Sequence, residues 1–196
     1  MHRILLIGAA SAALLGACSQ TDDAGEQAES AVNATQDAMS GVVGQTSAAT
    51  LGANTVGGFV SSLAISDMYE LAGAELANTK GQSDGVKELA RMIRTDHTAS
   101  SERLKTLAAT EAQGETLPTE MDERRQGLID NLEAAAPADF DRVYLTQQVA
   151  AHNEALTLLN GFADNTEAPQ LAAFARELTP KITMHRDRAQ QLLDAM

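Results

Sequence analysis

Three of the four histidines in this chain occupy the same kind of position, and histidine is the side chain best suited to binding a metal or moving a proton near neutral pH. In VKELARMIRTDHTASSERLKTL, residues 86–107, an apolar stripe of Val86, Ala90, Ile93, Leu104 and Leu107 advances by three and four, and His97 lies on it between Ile93 and Ser100. His152 shares a stripe with Leu145, Val149, Leu156, Leu159 and Ala163. His185 shares one with Leu171, Phe174, Leu178, Ile182, Ala189 and Leu192. A stripe takes in roughly a third of a helix's positions, so three placements out of three arise by chance only a few per cent of the time. The fourth histidine, His2, precedes the folded part of the chain. A carboxylate, Glu70, lies on a fourth stripe with Leu63 and Ala74.

Three imidazoles and a carboxylate make a donor set for one divalent metal in a four- or open five-coordinate site, suiting zinc, copper, iron or nickel. Asp67, one turn before Glu70, is placed to orient one of the histidines. The alternative is a metal-free polar core in which Glu70 accepts hydrogen bonds from one or two histidines, with Arg94 or Arg188 as countercharge. A di-iron carboxylate centre is not expected: the residues three before His97 and His185 are Arg94 and Ile182, where a Glu-x-x-His pattern needs glutamate. The chain has no Gly-x-Ser-x-Gly turn and no glycine-rich phosphate loop, so no catalytic residue is assigned and hydrolysis is not indicated. Met68, Met92 and Met184 read as core filler, and Arg124 and Arg125 as a solvated face.

These side chains require long helices to hold them. No segment alternates with period two over a strand length, and tryptophan is absent. Helices are predicted from about Val56 to Asn78, from the turn at 81–85 to about Ala112, from Pro137 and Asp139 to about Ala163, and from Pro169 almost to Met196. A short amphipathic piece with Met121, Leu128, Ile129 and Leu132 lies in the link between the second and third. The fold class is all-α: a ferritin-like four-helix bundle with a long, partly helical crossover, an up-down bundle being the competing topology. Counting residues from the two short turns puts Glu70 level with His97, and His152 level with His185 to within about 3–5 Å.

The remainder of the chain reads as delivery and attachment. Residues 1–17 carry one arginine and then an apolar run too short to span a membrane, as in a secretory signal. Leu15, Gly16, Ala17 and Cys18 resemble the lipobox of bacterial lipoproteins, which makes Cys18, the lone cysteine, the expected lipidation site. Residues 18–54 are poor in large apolar side chains and read as a flexible acidic tether, leaving 55–196 as the bundle. No lysine or arginine occurs between Arg3 and Lys80, and the formal net charge is −13. Nucleic acid is therefore an unsuitable partner, and membrane attachment must come from lipid alone. The sequence names no protein partner.

Four segments together resemble the bacterial domain of unknown function 4142 family, ferritin-like proteins often labelled outer-membrane proteins. They are FVSSLAISDMYELAGAELA with Glu70, VKELARMIRTDHTASSERLKTLA with Asp96 and His97, FDRVYLTQQVAAHNEALTLL with Phe140, Asp141, Tyr144 and His152, and LTPKITMHRDRAQQL with Pro180 and His185. The resemblance runs from about Gly58 to Leu193. It implies the bundle fold and a lipid-anchored place on the periplasmic side of the outer membrane, and it brings no established activity. Metal binding and a purely structural or interaction role both remain open, with an oxidoreductase a weaker third.

Overall fold

The computed structural model describes residues 17–196, and they form an all-helical bundle. The helices are α1 (Ala17–Ser47), α2 (Val56–Lys80), α3 (Asp84–Glu111), α4 (Glu123–Ala134), α5 (Phe140–Phe162) and α6 (Pro169–Asp194), with a π-helical turn over Ala48–Gly52 between the first two. Starts are set by local chemistry. Thr55 accepts from the Gly58 amide, Ser83 from Val86 and Asp122 from Arg125, each filling one of the donors that the first turn of a helix leaves free.

Helices α2, α3, α6 and α5 surround the core in that order, each packed on the next, and α5 closes the ring against α2. Two carboxylates reveal how the helices run. Asp141, in the first turn of α5, accepts the backbone amides of Gln82 and Ser83 at 2.8 Å each, so α5 begins where α3 begins. Glu111, at the end of α3, accepts the amides of Gln170 and Leu171 in the first turn of α6, so α6 begins where α3 ends. It supplies the cap that Ala168 has no side chain to give, and it favours the positive end of the helix. Helices α3 and α5 are therefore parallel, and α2 and α6 run opposite to them. The order is up, down, down, up, and α4 carries the crossover back along α2. The simple up-down alternative is ruled out by that direction.

Two apolar clusters fill the interior at opposite ends. One holds Phe59, Leu63, Leu104, Leu107, Leu159, Phe162 and Leu171, with the Phe59 and Phe162 rings stacked at 3.9 Å between centroids. The other holds Ala74, Ala77, Val86, Ile93, Phe140, Tyr144, Leu145 and Ala189. Polar side chains occupy the level between them.

The stretch expected to be a flexible tether differs. From Ala17 onward it is helical, and α1 lies against α5 and α4. The composition argument counted large apolar residues, whereas this contact is made by small and polar ones. Asp37 is buried and accepts from Asn131 at 2.8 Å and from Gln147 at 2.7 Å. At Gly44 the helix comes so near α5 that any Cβ would run into the Glu154 carboxylate. Arg124 donates to the Ser40 carbonyl and, through both terminal nitrogens, to Glu154. Nor is the arginine pair a solvated face: Arg125 is 2% exposed, bonds Glu154 at 3.0 Å, and places its guanidinium 4.7 Å from the centroid of the Tyr69 ring. The expected leader lies outside the described residues except for Ala17, and no described helix is long and apolar enough to cross a membrane.

Candidate metal centre

His97, His152 and His185 meet at mid-height between α3, α5 and α6, all buried. One ring nitrogen of each lies within 4.8 Å of the others. The ring centroids are 5.4, 5.7 and 5.8 Å apart. Within each ring the two nitrogens are in different situations. His97 Nδ1 contacts Asp67 Oδ1 at 2.8 Å, His152 Nδ1 contacts the Gln148 carbonyl at 2.8 Å, and His185 Nε2 contacts Asp96 Oδ2 at 3.0 Å. All three partners are acceptors, so in a neutral ring the contacting nitrogen is the one that carries the hydrogen. The opposite nitrogens, His97 Nε2, His152 Nε2 and His185 Nδ1, are left with lone pairs.

Those of His152 and His185 lie 3.4 Å apart. Two metal–nitrogen bonds of about 2.0–2.1 Å at a tetrahedral angle separate their nitrogens by about 3.3–3.4 Å, which matches. The carboxylates behind His97 and His185 form the carboxylate–histidine arrangement that fixes ring orientation at metal sites. They are held in turn, Asp67 by the Ser101 hydroxyl and Asp96 by Lys181 at 2.7 Å.

The surroundings contain more polar atoms than the protein satisfies. Glu70 Oε2, His97 Nε2, the hydroxyls of Ser100 and Tyr144, and both amide atoms of Gln148 are buried with no hydrogen-bond partner. Tyr144, Gln148 and His152 are spaced by four along α5 and so form one column. Unpartnered buried polar groups are rare in native proteins, and six such atoms set this level apart from the apolar core on either side.

Electrostatics separate the three imidazoles. Burial, and after it the charge of His97, pushes His152 down to about 3. Burial together with His152 and His97 takes His185 down to about 4, against the pull of Asp96. Burial opposes the charge on His97 as well, but the Asp67 hydrogen bond and the charges of Asp67, Glu70 and Asp96 outweigh it and raise that ring. Burial raises Glu70, against the charges of His97 and Arg125. On Asp96 burial also works against ionisation, yet the hydrogen bonds from Lys181 and His185 hold its carboxyl below the usual range. At neutral pH two of the rings therefore stay neutral and able to act as ligands.

Of the residues singled out from sequence, the three histidines come together and Asp67 contacts His97. Glu70 is buried beside them, its Oε1 3.7 Å from His152 Nδ1, and it stands outside the converging nitrogens. Arg94 is elsewhere: it lies on the flank of the stripe that carries His97, and its side chain is 59% exposed and pairs with Glu75 at 2.8 Å. Asp96 was not foreseen as a partner of His185. It sits a hundred degrees round the helix from His97, off the apolar stripe, and the available signal was a carboxylate adjacent to a stripe histidine.

A family model described as "Domain of unknown function (DUF4142)" matches residues 41–192. The chain belongs to the DUF4142 family. The match begins within α1, so the DUF4142 region takes in the last two turns of that helix as well as the bundle. No curated protein and no solved structure matches the chain.

Proposed function

We propose that this DUF4142 protein binds one divalent metal ion, zinc, copper or iron, through His97, His152 and His185. The observation that carries the reading is the convergence of three inward ring nitrogens, each on a ring whose other nitrogen is bonded to an acceptor. Facing lone pairs in a dry core repel unless a cation lies between them. Asp67 and Asp96 behind the ligands, with Glu70 beside them, supply compensating negative charge. We further place the protein on the periplasmic side of the outer membrane, attached through acylated Cys18. The lipobox-like Leu15–Cys18 stretch and the absence of any basic stretch near the N-terminus support that placement, and no nucleic-acid partner is assigned.

A metal-free core is the second reading, and the Asp67–His97 pair favours it. A proton held on His97 would let Nε2 donate toward the other two rings. That is a structural or interaction module, with the triad setting helix register.

Metal titration separates the two. Metal at a hundredfold excess over Kd stabilises the fold by about 2.7 kcal/mol, about 5–10 °C in Tm for a chain of this size. Apo-protein without a histidine tag is titrated with zinc, copper and ferrous iron while thermal unfolding is followed. A rise with at least one metal, lost in His152→Ala, is expected. No shift with any of the three returns the site to the metal-free core. Retention of a Cys18→Ala protein in the outer membrane through detergent phase partitioning would dismiss the lipid anchor.

A further inference from the structure

Helix α1 is turned the wrong way for an isolated molecule. Toward the bundle it presents Asp37, Gly44 and, in the following turn, Ala48, all buried. Toward solvent it presents Val32, Met39, Val42 and Val43, exposed by 59, 63, 68 and 54%. These four and Leu51 are five of the seven exposed large apolar side chains among the described residues. Surface helices ordinarily bury such residues, and a contiguous apolar strip left in water marks a contact site.

The strip has a register. Ala28, Val32, Thr35, Met39, Val42 and Thr46 are all exposed and follow one another by steps of four, three, four, three and four. That is the spacing of a coiled-coil seam, over about 27 Å of helix. Neither Glu29 nor Asp37, the carboxylates within its span, falls on it. We propose that this seam is the interface with a second copy of the chain, α1 packing on α1 across a two-fold axis.

Charge selects that occupant. At a net charge of −13, two copies repel over most of their surface, and this seam lets them meet without burying a carboxylate. A lipid surface fits worse, since α1 has no lysine or arginine to meet headgroups. The small threonines and alanine between the valines and methionine allow close helix approach, and the partner offers the same seam in return.

The test uses the full-length chain in intact cells, with single cysteines at Val32, Met39 and Val42 exposed to an oxidant. The parent, which has only Cys18, and Lys105→Cys on the exposed face of α3 give the background. At least one seam cysteine should give a disulfide-linked dimer well above both backgrounds. Glutamate at the other two positions of that same chain should reduce the dimer at least about tenfold, since each copy would then bury unpaired carboxylates. Seam cysteines that link no better than Lys105→Cys overturn the proposal. So do seam cysteines that stay monomeric while shielded from a water-soluble maleimide, which would assign the strip to lipid.

Discussion

The protein has two buried polar clusters, and they are finished differently. The outer one lies between α1, α2, α4 and α5: Arg124 and Arg125 share Glu154, Asp37 takes hydrogen bonds from Asn131 and Gln147, and the Tyr69 hydroxyl donates to Gln147 at 2.9 Å. Of its polar atoms only Arg125 Nε is without a partner. The inner one, around the histidines, has its outward nitrogens bonded to acceptors, while His97 Nε2 has no partner and the inward nitrogens of His152 and His185 meet only each other, at 3.4 Å. A cluster that satisfies itself holds helices together, whereas one whose ring nitrogens converge with polar atoms to spare has room in its chemistry for a cation.

Separating the two experimentally begins with Arg125→Leu. It should cost about 3 kcal/mol of stability, because Glu154 and Tyr69 lose a buried partner, while the metal-induced rise in Tm stays that of the parent. A loss of that rise would mean that the clusters act as one. Chemical denaturation with and without metal measures both quantities.

Acid distinguishes them next. His152 and His185 are held neutral down to about 3 and about 4 by burial, against about 6.5 when unfolded. Unfolding lets them take up protons in between, so the metal-free fold loses stability as pH falls from about 6.5 toward those values. His97, being raised, works oppositely: its contribution is full below about 6.5 and disappears as pH rises through its folded value. His152→Ala removes one acid-sensitive group, and should lose less stability than the parent between about pH 6.5 and 4.5. Equal losses in urea midpoints at the two pH values would contradict the neutral assignment.

Within the inner cluster, Asp67→Asn or Asp96→Asn should weaken metal binding by about 10–100-fold, the usual weight of a group that orients a ligating imidazole. Calorimetry on each variant tests this, and affinities within twofold of the parent would reduce those carboxylates to bystanders. In the outer cluster, Asp37→Ala should cost about 1–2 kcal/mol through the stranded amides of Asn131 and Gln147, and leave metal affinity alone. The smallest change is expected at Arg94→Ala: its exposed pair with Glu75 is worth under about 1 kcal/mol, and metal binding should not respond.

The inner cluster was legible in the sequence because helical phase is a strong signal. Four stripes and two short turns were enough to turn Glu70, His97, His152 and His185 inward near mid-height and to put His152 level with His185. Phase also brought Glu70 in from its facing alone, and the carboxylate is buried beside the histidines, 3.7 Å from His152 Nδ1. Arg94 was drawn in by nearness in sequence, although it lies on the flank of the stripe and its long side chain runs out to Glu75. The outer cluster was not legible, since its partners lie on four separate elements and one of them, α1, docks through glycine, alanine and aspartate. Nothing in the periodicity of residues 18–54 distinguishes such a contact from a tether. The directions of α5 and α6 were settled by Asp141, which is buried, and Glu111, carboxylates whose partners are backbone amides far off in the chain.

Asp141 also works as a ruler. The hairpins α2–α3 and α5–α6 are each local in sequence, whereas joining them is a long-range step that must choose an axial offset. By gripping the Gln82–Ser83 turn, this carboxylate zeroes two parallel helices against each other. His97 lies fourteen residues beyond Ser83 and His152 eleven beyond Asp141, a difference of three residues or about 4–5 Å along the axis, within the span that two imidazoles bridge. Slipping that grip by one helical turn would leave every helix intact and every stripe facing inward, and would still take the rings out of one another's reach.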